Sequence, residues 1–176
     1  MRYLGLLFVG ICCCVGSVGA SFAQAGSAKI SAPKLLGVWT SKAGMNEKAV
    51  EMLLEGQKHF RDLNQVEDHV TWSYIYKELT RIPMVFTIRT QATWRIRDQY
   101  LCERLTKFSV ALVSKPNSSI VPAMMVAKVM EGLQNQFKKQ RDAKREQCNE
   151  VRIVSSKEFH LKDGPSSRVS KFTRLD

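Results

Sequence analysis

Residues 84 to 97 read MVFTIRTQATWRIR, and their alternation decides the fold. Met84, Phe86, Ile88, Ala92, Trp94 and Ile96 fall on one face of an extended chain, while Thr87, Arg89, Gln91, Arg95 and Arg97 fall on the other. A period of two with an apolar side and a cationic side is the pattern of a half-buried strand, because successive side chains of a strand point to opposite faces. The preceding stretch, HVTWSYIYKELT at 69 to 80, repeats it, with Val70, Trp72, Tyr74 and Tyr76 together. Arg81-Ile82-Pro83 supplies a turn between the two, and Asp98-Gln99 turns the chain into a third run, Tyr100 to Val113. There Cys102, Thr106, Phe108, Val110 and Leu112 alternate against Glu103, Lys107 and Ser109. Three such runs in succession predict an antiparallel meander.

Working outward from this core, Leu35 to Lys42 reads as a first strand carrying Trp39. Asn46 is placed to cap a helix from Glu47 to about Phe60, where Val50, Leu53, Leu54 and Gln57 recur at helical spacing. Beyond the breaker Lys115 to Ser119, a long helix is expected over about Val121 to Gln147, with Met125, Val129, Leu133 and Phe137 as its apolar stripe and Met124 and Met130 beside it. Its far end is the basic run KKQRDAKREQ. The chain then returns to strands in EVRIVSS, KEFHLKD and SRVSKFTRL, with a turn at Asp163 to Ser166. The expected architecture is mainly β with two helices (α+β): an antiparallel sheet or incomplete barrel of about seven strands, with the long helix packed against it.

The first twenty-five residues read as a secretory signal. Met1-Arg2 is a short positive start, Tyr3 to Val18 is uncharged, and Ala23-Gln24-Ala25 offers small-x-small cleavage after Ala25, with Ala20 as the next choice. An uncleaved inner-membrane anchor is the competing reading; lipidation at Cys12, Cys13 or Cys14 is disfavoured because no small residue precedes Cys12 and cysteines precede the other two. Residues 26 to 34 form an Ala/Ser-rich leader, and 35 to 176 a single domain. The destination is the periplasm, or secretion beyond it.

Export also decides how the remaining composition is read. The chain carries 27 Lys and Arg against 16 Asp and Glu, a formal net charge of +11, and only Arg2 of these lies in the signal. In an exported protein such a surplus points to anionic surfaces, acidic partners or anionic small ligands rather than nucleic acid. Cys102 and Cys148 survive processing, and an oxidising compartment favours a disulfide between them. It would stabilise the fold by roughly 3 to 4 kcal/mol in chain-entropy terms.

No motif of a known chemistry is found. His59, His69 and His160 lack metal-ligand spacing, and there is no Gly-rich phosphate loop, HExxH or G-x-S-x-G. No catalytic residue, metal or cofactor is therefore assigned. The methionines of the long helix read as core first and as an adaptable binding surface second. Asn117-Ser118-Ser119 is a formal glycosylation sequon, relevant only in a eukaryote.

Leu36-Gly37-Val38-Trp39 has the G-x-W pattern of lipocalin-like barrels, in which the Trp packs across the barrel floor and a late Arg, here Arg174, covers it. The order of pieces adds to this: Thr40-Ser41-Lys42, then Trp94 to Leu101 (WRIRDQYL), a Met-bearing helix, Ser155 to Gly164, and Phe172-Thr173-Arg174. That order resembles the ToxS-like family of lipocalin-like periplasmic partner proteins, of the ToxS, VtrC and PsaF type. The resemblance implies a protein that binds and protects the periplasmic domain of a membrane-bound transcription regulator of virulence and shares an apolar, bile-acid-type ligand site. A cleavable N-terminus departs from the anchored helix usual in that family.

The reading taken forward is an exported, non-enzymatic binding protein. Trp72, Tyr74, Phe86, Ile88 and Trp94 would line its interior, with Arg89 or Arg95 as rim charges for an amphipathic anion. A free-standing carrier of a lipid or small apolar anion, and an inhibitor or immunity-type protein, are the alternatives.

Overall fold

A computed structural model describes residues 30–163 and 168–175; the expected signal at 1 to 25 lies outside the described residues. A 3-10 turn, Ala32–Leu35, leads into strands β1 (Gly37–Asn46), β2 (Val50–Phe60), β3 (Gln65–Tyr76), β4 (Met84–Arg97) and β5 (Tyr100–Ser114). Helix α1 (Ala123–Asp142) follows, then β6 (Gln147–Ser155), β7 (Glu158–Lys162) and β8 (Val169–Arg174). Each strand pairs antiparallel with the next, and β8 returns to β1, so the sheet closes into an eight-stranded barrel. This is consistent with a lipocalin-like architecture, with one helix where two were expected and with closure where an incomplete barrel was left open.

The expected helix over Glu47 to Phe60 is strand β2. It pairs with β1 along its whole length, from Asn46↔Glu51 to Gly37↔Phe60, and with β3 from Val50↔Tyr76 to Phe60↔Val66. Once it lies between two strands, its inward set is Met52, Leu54, Gly56, Lys58 and Phe60. The helical spacing of Val50, Leu53 and Leu54 loses to the ladder hydrogen bonds offered on both sides, and Gly56 in mid-segment weakens a helix. Asn46, the expected cap, instead receives the Lys77 ammonium, which also donates to the Glu47 carbonyl at 2.7 Å.

Two further boundaries differ. The long helix ends at Asp142 rather than near Gln147, because Lys144 takes a left-handed φ of 49° that turns the chain into β6. In β5 a bulge at Thr106, between Leu105 and Lys107 and opposite Gln91 and Ala92, adds one residue and reverses which side chains face inward. Leu101, Glu103 and Leu105 therefore point in below it and Phe108, Val110 and Leu112 above it, while Cys102 and Thr106, expected on the apolar face, do not.

The barrel is not uniform along its axis. The last rung of β5 with β6 is Glu103↔Gln147, and β1 meets β8 only at Trp39 and Thr40. Beyond those rungs β1 to β5 continue without β6 or β8 paired beside them, and α1 packs along β5. Two clusters of buried side chains correspond to the two halves. The lower holds Leu35, Trp39, Phe60, Val66, Trp94, Leu101, Val151, Phe159, Leu161 and Phe172. The upper holds Met52, Trp72, Tyr74, Met84, Phe86, Ile88, Leu105 and, from the helix side, Val121, Val126, Leu133 and Phe137.

Aromatic edges lock the floor. Trp39 meets Phe159 edge-on at 4.7 Å between centroids, Phe60 meets Trp94 at 4.8 Å, and Phe159 stacks on Phe172 at 4.7 Å. The Trp39 indole N–H donates to the Leu35 carbonyl at 2.7 Å, and the Arg174 guanidinium lies 4.4 Å over its ring while donating to the Lys34 carbonyl at 2.8 Å. Gly37 sits at φ 115°, and a Cβ there would come within 3.2 Å of the Arg174 guanidinium. The G-x-W spacing thus has a local cause: only glycine lets the arginine close over the tryptophan. Residues Ile30 and Ala32 of the expected leader pack beneath the same floor.

Candidate functional site

Between the two apolar layers lies a belt of polar side chains inside the barrel. Lys58 of β2 is 6% exposed, and its ammonium donates to Glu103 of β5 at 2.7 Å and to Asp68 of β3 at 3.2 Å. Thr90 of β4 donates its hydroxyl to the same Asp68 oxygen at 3.2 Å. Four neighbouring strands each contribute one member: Lys58↔Asp68 and Asp68↔Thr90 are rungs of the sheet, and Glu103, the rung partner of Trp94, reaches Lys58 from the inner face of β5 below the bulge. The belt continues onto β6 and α1. Gln147 is the rung partner of Glu103 and accepts from Gln140 of the helix at 3.0 Å, and Asn149 follows two residues on, 9% exposed.

Burying charges in an apolar interior is costly unless they are paired and hydrogen-bonded. Burial alone would pull the Lys58 ammonium down, but Asp68 and Glu103 beside it more than reverse that, and its pKa stands above the ordinary lysine value. Burial pushes the Glu103 carboxyl up; Lys58 draws it back and Asp68 raises it again, leaving it above the ordinary value near 4.5. The belt therefore holds one firm cation, shared between two carboxylates.

Of the expected interior residues, Trp72, Tyr74, Phe86 and Ile88 come together in the upper layer. Trp72 lies 5.4 Å from Phe86 and 5.7 Å from Tyr74, and burial, with a hydrogen bond to Tyr76, raises the Tyr74 phenol. Their cover is the face of α1, with Phe137 stacked on Phe108 at 5.7 Å and Arg141 over Phe108. Trp94 does not join them: it lies in the floor layer, its indole N–H donating to the Asp62 carbonyl at 2.9 Å. Arg89 and Arg95 are not at a rim either. Both stand on the outer face of β4, Arg89 exposed and Arg95 paired with Glu146 at 2.7 Å, an interaction that together with Arg97 lowers the Glu146 carboxyl.

Lys58, Asp68 and Glu103 escaped the sequence reading for separate reasons. Lys58 was hidden by the helix assigned to its segment, and Glu103 by the unforeseen bulge. Asp68 shares the period-two face of Val70, Trp72 and Tyr74, a signal that could have found it.

Cys102 and Cys148 form the disulfide, on the outer face at the rung next to Glu103↔Gln147. Glu146 approaches both sulfurs, but cysteines joined to each other offer no thiolate to a metal. An open groove of about 720 Å³ also lies outside the barrel, across β1 to β3 and β8, lined by Lys42, Glu55, Gln57, His69 and Lys171 among others. Its cations are engaged at its own edge, Lys42 by Glu55 at 2.7 Å and Lys171 by Glu158 at 2.6 Å.

No protein-family model matches this chain, and no curated protein is similar to it. What the site can do is accordingly argued from its geometry.

Proposed function

We propose that this is an exported, non-enzymatic binding protein whose upper barrel receives an apolar or amphipathic small molecule beneath helix α1. One observation carries the reading: the upper interior is closed on one side by a single helix instead of strands, and methionine is concentrated there. Met52 and Met84 are buried in that layer, and Met45, Met125 and Met130 pack against it; the floor layer has none. Unbranched thioether side chains repack at low cost around guests of different shape. A helix set against one strand is also easier to displace than a ladder of backbone hydrogen bonds.

The test is titration of the purified protein with the neutral fluorophore N-phenyl-1-naphthylamine. Saturable binding of one probe per chain is expected, with energy transfer from tryptophan that falls in Trp72→Phe. Folded protein that shows no saturable binding would overturn the reading.

A second reading has its own observation. Above Thr40, β1 has no second strand neighbour among the described residues, so residues 41 to 46 offer a sheet edge to an extended segment of another exported protein. With the resemblance carried by Trp94 to Leu101 and Phe172 to Arg174, this supports a stabilising partner of the periplasmic domain of a membrane regulator. Co-expression with such a domain should yield a one-to-one complex; separate elution of the two would count against it.

A further inference from the structure

We propose that the polar belt at mid-barrel is a subsite for a cationic, hydrogen-bond-donating head group, such as the primary ammonium of an amphiphile whose apolar body lies in the methionine-rich layer above. The proposal rests on the binding reading given above and fixes the chemistry of the guest.

The first ground is charge. Inside the barrel Lys58 faces Asp68 at 3.1 Å and Glu103 at 2.7 Å, so two carboxylates share one ammonium. The cations of β4 cannot supply the balance, because Arg89 and Arg95 project from the opposite side of the sheet. Burial and the neighbouring Asp68 both push the Glu103 carboxyl up, and Lys58 alone draws it back. A guest ammonium would supply a second cation and alternate with Lys58 around the carboxylates.

The second ground is independent of charge. Asn149 Oδ1 and Gln136 Oε1 are buried, and neither finds a hydrogen-bond donor among the described residues. Asn149 is on the inner face of β6, two residues beyond the rung partner of Glu103, and Gln136 precedes Gln140 by one helical turn. Buried acceptors without donors carry a desolvation cost that a donor-rich guest removes. An ammonium brings three donors and no acceptor. A carboxylate guest, which the +11 of the whole chain would suggest, brings only further acceptors and meets a lysine already engaged twice. The chain is thus cationic outside and acceptor-rich inside.

Three probes with the same chain, dodecylamine, dodecanol and dodecanoate, separate the possibilities when used below their micellar concentrations to displace N-phenyl-1-naphthylamine near neutral pH. Dodecylamine should displace the probe at a concentration about tenfold lower than dodecanoate does. Glu103→Gln should weaken dodecylamine about tenfold, leave dodecanol within about twofold and improve dodecanoate. Asn149→Leu, close in size and leaving the triad intact, should weaken the amine by about threefold. Dodecanoate binding as well as the amine, or an amine preference unchanged in both variants, overturns the head-group assignment while the chamber stands. Failure of the neutral fluorophore itself to bind defeats the chamber, and the subsite with it.

Discussion

The floor of this barrel and its upper layer, the chamber of the proposed function, are built from the same strands but by different means. The floor is enclosed by eight strands and filled with rigid aromatic rings; the chamber is enclosed by five strands and one helix and filled around methionines. Aromatic rings at edge-on contact define one arrangement, whereas thioethers accept several. The difference teaches that the fold is specified at one end, which leaves the other end free to vary its packing. The charged belt lies at the boundary between them.

The comparison can be broken most forcefully at Trp39. Trp39→Ala removes the Phe159 contact, the seat of Arg174 and the hydrogen bond to Leu35 together, and should cost about 5 kcal/mol in denaturant unfolding, the upper end for a buried aromatic. A loss as small as that from a chamber methionine would erase the distinction. Removal of the disulfide in the Cys102→Ala, Cys148→Ala double variant should cost roughly 4 kcal/mol, given the 46 residues it spans. Because the bridge lies beside the last β5–β6 rung, hydrogen exchange in that variant should rise first in α1 and upper β5, before the floor.

A smaller effect sharpens the boundary. Glu103 is raised in the folded state, so it binds a proton more tightly there than in the unfolded chain. Its contribution to stability is present below the ordinary value near 4.5 and is lost as pH climbs through the raised folded value. Subtracting the pH–stability curve of Glu103→Gln from that of the parent should isolate this falling limb. The lowered Glu146 and Glu158, which act with the opposite sign, cancel in the difference. The smallest effect belongs to the chamber itself: Met84→Leu should cost less than about 1.5 kcal/mol, measured by chemical denaturation, since swaps of similar volume are tolerated where packing is adaptable.

Much of the barrel was legible from alternation alone. Strands β3 and β4 sit where a period of two places them, and Arg174 covers Trp39 as the G-x-W pattern implies. The second strand was not legible, because Val50, Leu53, Leu54 and Gln57 satisfy a helical stripe, while Gly56 and Lys58 interrupt the apolar strand face of Met52, Leu54 and Phe60, and only the neighbours on both sides decide for the strand. The site was less legible than the fold. A bulge of one residue inverts a face, and nothing local in YLCERLTKF announces it, so Glu103 looked like a surface charge. Trp94 was grouped with Trp72 by parity, which is correct for the face and silent about height along the axis.

The 3-10 turn at Ala32–Leu35 has a directional consequence. It sets the point at which the chain enters the barrel, and that point is at the floor, with the helix-covered layer toward the far end of strands as long as the 14 residues of β4. Allowing for strand tilt, the two ends stand roughly 35 Å apart. The chain at Ile30 therefore joins the barrel at its heel, at the end away from the methionine-rich layer.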